Sequence, residues 1–140
     1  MASLKTTINL DSTSLFPNPI AIKTTNTLTI NAQSSLLTTN QISANSEEML
    51  LETEEQSGDS GILYLYCQSA ATNSGHGIEV SLTQYANIGD DVTMTIAKLL
   101  PGNTILLPIY AASRNGLRIN VKNNDPLNAG TLTYFYGSKD

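Results

Sequence analysis

The chain has 140 residues, a formal net charge of −5 and only 14% charged residues. This length fits one domain with its own core, and the single cysteine, Cys67, rules out an intramolecular disulfide. Seven scattered basic residues argue against nucleic-acid binding, and the longest apolar run, Ile62 to Cys67, is too short for a membrane helix.

Apolar and polar residues alternate along most of the chain, which is the pattern of half-buried strands. Gly, Pro, Asn and Asp cluster between the alternating segments, and no alternation of strands with helices is present. The sequence therefore predicts an all-β fold, an antiparallel β-sandwich or jelly roll of about eight strands. In chain order the clearest strands lie around Leu4–Leu10, Leu28–Ala32, Ile62–Cys67, Val80–Leu82, Val92–Ile96, Thr104–Tyr110, Leu117–Val121 and Thr131–Tyr136.

Two prolines, Pro17 and Pro19, interrupt the pattern after the first strand. Because proline cannot donate to a sheet ladder, the chain is expected to leave the sheet there. We predict an extended N-terminal arm at residues 1–19 and a single β-sandwich domain at residues 20–140.

One segment, Ser46 to Gln56, is open to two interpretations. Asn45 could cap a helix there, with Glu48 reaching back to the helix start. However, the three apolar residues 49–51 are consecutive and form no helical stripe. A strand that ends in an acidic loop explains the segment as well as a helix does.

Two turn signals favour hairpins between apolar strands. Pro101-Gly102-Asn103 suits a tight turn, and Asn115-Gly116 is a strong short hairpin signal. Pro108 lies within the strand that follows the first of these turns, so it indicates an edge, a bulge or a break.

Catalytic residues are not indicated. His76 is the only histidine and lies in a glycine-rich loop, without the oriented carboxylate and nucleophile that general-base catalysis needs. Cys67 lies in the most apolar strand, which favours a buried, inert thiol. We therefore expect a non-enzymatic protein with no cofactor and no metal.

Half of the twelve acidic residues lie in one cluster. This cluster could dock against a basic partner, bind Ca²⁺, or form a solvated loop that protects an edge strand. Asp90-Asp91 and Asp125 lie in turns that could also bind calcium, although such residues more often hydrogen-bond their own backbone. The clustered acids are Glu47, Glu48, Glu52, Glu54, Glu55 and Asp59.

Three segments together resemble small structural proteins of tailed bacteriophages. They are the opening TTINLDSTSLFP at residues 6–17, the run KLLPGNTILLPIY at residues 98–110, and the ending TLTYFYG at residues 131–137. The resemblance covers about a third of the chain and implies a head decoration or cement protein on the capsid surface, made in the host cytoplasm. Its implied partner is the major capsid protein, with neither nucleic acid nor membrane involved. A homo-oligomer, with a trimer as one possibility, would suit a capsid lattice.

Such a protein would bind several capsid subunits and hold them together. The arm, Met1 to Pro19, and the acidic segment, Ser46 to Asp59, are the expected contacts. The alternative function is a tail- or fibre-associated adhesion or carbohydrate-binding module. The absence of tryptophan weakens that alternative, and so do the tyrosines, which mostly lie in predicted strands: Tyr64, Tyr66, Tyr85, Tyr110, Tyr134 and Tyr136.

Overall fold

The computed structural model describes residues 2–12, 20–30, 37–52, 61–86, 89–111 and 116–139. These residues contain ten β-strands and no helix. The strands are β1 (Ala2–Ser12), β2 (Ile20–Ile30), β3 (Thr38–Ile42), β4 (Glu47–Glu52), β5 (Gly61–Ser69), β6 (Ile78–Gln84), β7 (Val92–Leu99), β8 (Thr104–Ala111), β9 (Leu117–Asn123) and β10 (Gly130–Lys139).

Eight of the strands form two four-stranded antiparallel sheets. The first has the order β3-β10-β5-β8 and the second the order β4-β9-β6-β7, while β1 and β2 pair with each other as a separate hairpin. From β3 to β10 the chain changes sheet at every connection except the one between β6 and β7. This alternation is the topology of an eight-stranded jelly roll, so the predicted all-β sandwich is confirmed.

The core lies between the inner faces of the two sheets. Along β9 the residues alternate between buried and more exposed, and β6 follows the same pattern over most of its length. A fully buried aliphatic side chain contributes about 1.5–3 kcal/mol relative to an exposed one. The buried apolar residues are Ile42, Leu65, Cys67, Ile78, Val80, Leu82, Leu99, Ile109, Leu117, Ile119, Val121 and Leu132.

The segment with two interpretations is a strand over Glu47–Glu52, and residues 53–56 lie outside the described part of the chain. The pairing of β4 with β9 shifts register between Met49 and Leu51. This bulge inserts Leu50 as an extra residue, so that Leu50 and Leu51 both pack against the core. A bulge thus accommodates the run of consecutive apolar residues that fits neither a regular strand nor a helical stripe.

The two hairpin predictions are wrong. β7 pairs with β6 and β8 pairs with β5, while β9 pairs with β4 and β6. The turn at Pro101-Gly102-Asn103 does form, with Gly102 at a φ of 76°. It carries the chain from one sheet to the other, because Leu99 and Ile105 must both face the shared core. Asn115 lies outside the described residues, but the strands on either side of it also belong to different sheets.

Two further strands, β8 and β3, differ in how well their sequences predict them. Pro108 lies in β8, which pairs only with β5 among the described strands, so of the three alternatives, an edge, a bulge or a break, the structure shows the edge. Strand β3 was not predicted, because its sequence TTNQI contains one apolar residue, the fully buried Ile42.

The N-terminal segment forms a long hairpin. β1 and β2 pair at eleven positions, from Ala2 opposite Ile30 to Ser12 opposite Ile20. Residues 13–19, which include both prolines of the predicted break, lie outside the described part of the chain. β2 pairs with β1 and with neither four-stranded sheet, and it contacts the sandwich at β10. The domain boundary at residue 19 stays a prediction.

The buried side chain of Asn123 connects the two sheets at one end of the sandwich. Its Nδ2 donates to the carbonyl oxygens of Ile42 at 3.1 Å, Ser43 at 3.2 Å and Asn128 at 2.9 Å. Its Oδ1 accepts from the backbone N–H of Asp125 at 3.0 Å. Because Ile42 belongs to the first sheet and Asn123 to the second, these bonds tie the sheets together.

Gly130 provides the space that this side chain needs. A Cβ at Gly130 would lie 3.3 Å from Cγ and Nδ2 of Asn123 and 3.3 Å from Cδ1 of Ile78. Such contacts are tighter than most Cβ atoms tolerate, so the amide occupies a space that only glycine leaves open.

We predict that Asn123→Ala lowers the free energy of unfolding by about 2–5 kcal/mol, because it leaves several buried backbone groups without partners. The adjacent Asn124→Ala is the matched control. Its Nδ2 is buried without a hydrogen-bond partner, so we expect a loss of about 1 kcal/mol or less. Urea denaturation of both variants measures the difference, and equal losses would contradict the role given to Asn123.

Candidate functional site

Four connections are joined by hydrogen bonds at one end of the sandwich. Asn45 in the β3–β4 loop donates its backbone N–H to the carbonyl of Asp125 at 2.8 Å. Asn124 in the β9–β10 loop donates to Gly77 in the β5–β6 loop at 3.2 Å. Gly102 in the β7–β8 turn donates to the carbonyl of Ser69 at 3.1 Å. These bonds join the connections into one continuous surface at this end of the molecule.

Asp125 is the buried acid of this surface, with 4% of its area exposed. Its Oδ1 accepts from the backbone N–H groups of Leu127 at 2.8 Å and Asn128 at 2.9 Å. A hydrogen bond from the Ser74 hydroxyl, followed by those two backbone bonds, holds the pKa of Asp125 well below its usual range. Asp125 therefore organises its own turn as an ionised acceptor.

The other candidate side chains are not brought together. His76 is exposed in the β5–β6 loop, where its backbone N–H donates to the Ser74 hydroxyl at 3.4 Å. Cys67 is fully buried, as predicted, and burial raises its pKa to about 12. Asp90 and Asp91 are exposed before β7, and Asp91 accepts from the backbone N–H of Ala86 at 3.1 Å. Across the described ranges, no group of three or more His, Cys, Asp or Glu could hold a metal ion.

The described part of the acidic cluster lies on β4, at the edge of the second sheet. Glu52 accepts from the Tyr85 hydroxyl and from Nε and Nη2 of Arg118, at 3.2 and 2.9 Å for the two nitrogens. The Tyr85 hydrogen bond and then Arg118 lower the pKa of Glu52. The Arg118 guanidinium also lies 5.5 Å from the centroid of the Tyr85 ring.

Glu47 accepts from Nδ2 of Asn120 at 2.6 Å. These partners occupy part of the surface that the sequence offered for docking. Nothing in the sequence joins Tyr85, Arg118 or Asn120 to the acidic cluster, because they lie far from β4 along the chain and carry no local motif. Glu54, Glu55 and Asp59 lie outside the described residues.

The β1–β2 hairpin has a continuous exposed stretch on β2. Residues 21–25 of β2 are all exposed, although successive residues of a strand point to opposite faces. The sandwich therefore covers neither face of the hairpin along this stretch. Ile22 keeps 51% of its area exposed. Lys5, opposite Thr27, and Lys23, opposite Asn9, are exposed and lie on one face by register.

No protein-family model matches the chain, and no curated protein matches its sequence. Among solved structures, it is similar to the Yersinia pseudotuberculosis-derived mitogen, with 18% identity and a TM-score of 0.45 over 80% of this chain and 89% of that one. It is also similar to a chain of infectious bursal disease virus Gx strain, with 12% identity and a TM-score of 0.40. For the Gt strain the values are 10% and 0.39.

The chain spans 36% and 38% of the lengths of the two viral chains, which cover 94% and 93% of it. At these identities and TM-scores the similarities carry no functional conclusion. In the part of the chain that the structure describes, there is no helix long and apolar enough to cross a membrane.

We predict that Asp125→Asn makes unfolding less dependent on pH in acid. A carboxyl group with a lowered folded-state pKa stabilises the fold above its unfolded pKa of about 3.9, and this contribution is lost as the pH falls towards the folded pKa. Urea denaturation between about pH 6 and pH 2 should therefore show the wild type losing its advantage over the variant as acid is added.

The control for this series is Asn124→Ala, which changes the residue next to Asp125 and leaves every carboxyl group in place. It should follow the wild-type pH dependence. A stability gap between wild type and Asp125→Asn that stayed constant across the series would contradict the ionised role of Asp125.

Proposed function

We propose that this chain is a non-enzymatic virion structural protein that binds the exterior of a capsid and cements neighbouring capsid subunits. Its partner would be the major capsid protein, and its location the capsid surface. The observation that carries the proposal is the N-terminal hairpin, which lies outside the sandwich and exposes both faces of β2 over residues 21–25.

An isolated two-stranded hairpin is marginally stable in water. This one pairs at eleven positions and would reach roughly 35 Å at about 3.3 Å per residue. Its register pairs Leu4 with Leu28 and Leu10 with Ile22, so apolar residues lie opposite each other in the ribbon. A long ribbon of this kind gains stability when a partner surface covers it, which is what docking on a capsid would provide.

The sandwich supplies a rigid body from which the hairpin extends. A copy that contacts one capsid subunit through the sandwich and the next through the hairpin resists separation of the two. Many copies on a symmetric lattice multiply such contacts, because each further contact forms at a high effective concentration. The chain is rich in Ser, Thr and Asn, which hydrogen-bond a neighbour without the desolvation cost of a charge.

The jelly-roll topology is compatible with this function. Eight-stranded jelly rolls include viral capsid and lectin domains, but one fold supports many functions. The proposal therefore depends on the hairpin and on the resemblance of the sequence to phage structural proteins.

We predict that deleting residues 1–30 abolishes binding to capsid particles that lack this protein, while the sandwich stays folded. Neither four-stranded sheet contains β1 or β2. The deletion variant should therefore keep the circular dichroism spectrum of a β-sandwich and unfold cooperatively. Co-sedimentation of the full chain and of the deletion variant with the particles measures the binding.

A finer test uses one exposed apolar residue on each part of the molecule. Ile22→Ser changes the hairpin and should weaken binding, whereas Leu127→Ser changes a loop residue with 84% of its area exposed and should not. Full binding by the deletion variant would overturn the role of the hairpin. If the full-length chain did not bind capsids but bound glycans or host cells, the result would favour the adhesion function instead.

A further inference from the structure

Three of the four edge strands of the sandwich carry features that discourage pairing with another strand. β4 bears Glu47, Glu48 and Glu52, β8 contains Pro108, and β3 has only five residues. Charge, proline and short length are the common means by which sheet edges avoid pairing with other chains.

β7 lacks this protection over its first half. It has eight residues, no proline and one charged residue, Lys98. Its first four residues are exposed, including Val92 with 54% and Met94 with 45% of their area. Its one irregularity is a bulge at Ile96, which has no residue of β6 opposite it. The half before this bulge offers an unprotected edge, since β7 pairs only with β6 among the described strands.

We propose that β7 pairs antiparallel with β7 of a second copy of this chain, joining the two second sheets into one eight-stranded sheet. The charges around the strand select this partner. Asp90 and Asp91 directly precede β7 and Lys98 lies near its end, and all three are exposed. Antiparallel self-pairing brings the acidic end of each copy to the basic end of the other, as a two-fold interface requires.

The register supports the same pairing. Centring it on Met94 puts Thr93 opposite Thr95 of the second copy, so residues of the same face meet. Because Ile96 is the extra residue of the bulge, it takes no position of its own in this pairing. Asp91 therefore lies opposite Lys98 of the second copy.

The apolar residues of this edge also fit the pairing. Met94 lies opposite the buried Leu82 of β6, and Val92 lies two residues before it. Both therefore belong to the core-facing side of the sheet, and pairing would cover side chains that the single copy leaves exposed. This dimer does not depend on capsid binding, so it can be tested in solution.

The test is sedimentation velocity of the full-length chain and of two charge variants. We expect the wild type to form a dimer, and Lys98→Asp and Asp91→Lys each to raise the dimer dissociation constant about tenfold or more, because each places like charges together twice in the interface. An equimolar mixture of the two variants restores both opposite-charge contacts, so it should dimerise like the wild type.

Two lysine substitutions provide the control, since Asp91→Lys also removes the acceptor of the Ala86 N–H. Thr95→Lys adds a charge near the two-fold axis and should abolish the dimer. Thr104→Lys adds the same charge to an exposed position of β8, in the other sheet, and should leave it intact. The proposal is overturned if the wild type is monomeric or if Thr95→Lys still dimerises. It is also overturned if the mixture of the two charge variants does not dimerise like the wild type.

Discussion

The buried amide of Asn123 is the contact on which the closed end of the sandwich depends. Burial of apolar side chains is not directional, whereas satisfied hydrogen bonds between two sheets specify one arrangement of them. Asn123 provides such bonds from β9 to the end of β3, and it positions the turn that contains Asp125. Gly130, the first residue of β10, leaves open the space that the Asn123 side chain occupies, so the two residues depend on each other.

The closed end of the sandwich contrasts with two other surfaces of the molecule. The four loops at that end bond to one another, and the acid there is an ionised acceptor for its own turn. The two surfaces for which we propose partners are the N-terminal hairpin and the edge of β7. They differ in chemistry, because the hairpin is exposed on both faces over residues 21–25, whereas β7 is an open edge with opposite charges around its ends.

Most of the strands could be predicted from the sequence, because alternation of apolar and polar residues is a local signal. The same signal failed for β3, where one apolar residue, Ile42, is enough to hold a short strand. It left Glu47–Glu52 undecided, because a bulge at Leu50 breaks the alternation. Which strands pair is not local information, so the turns at residues 101–103 and 115–116 suggested hairpins where the chain changes sheet.

The candidate surfaces could be predicted from the sequence less well than the fold. The acidic cluster was visible, but Arg118 and Tyr85, which engage Glu52, are brought to it only by sheet pairing. The role of Asn123 could not be predicted, since the Gly130 space and the carbonyl of Ile42 come from distant strands. The exposed edge of β7 likewise depends on strand order, which alternation does not determine.

The central claim is that this jelly roll sits on a capsid and spans neighbouring subunits through its hairpin. Cryo-electron microscopy of capsids reconstituted with the full chain tests it most directly. The account predicts ordered sandwich density on the outer surface, with the β1–β2 ribbon lying along an adjacent subunit. Capsids that stay bare at saturating protein, or sandwiches bound with the ribbon touching no second subunit, would contradict it.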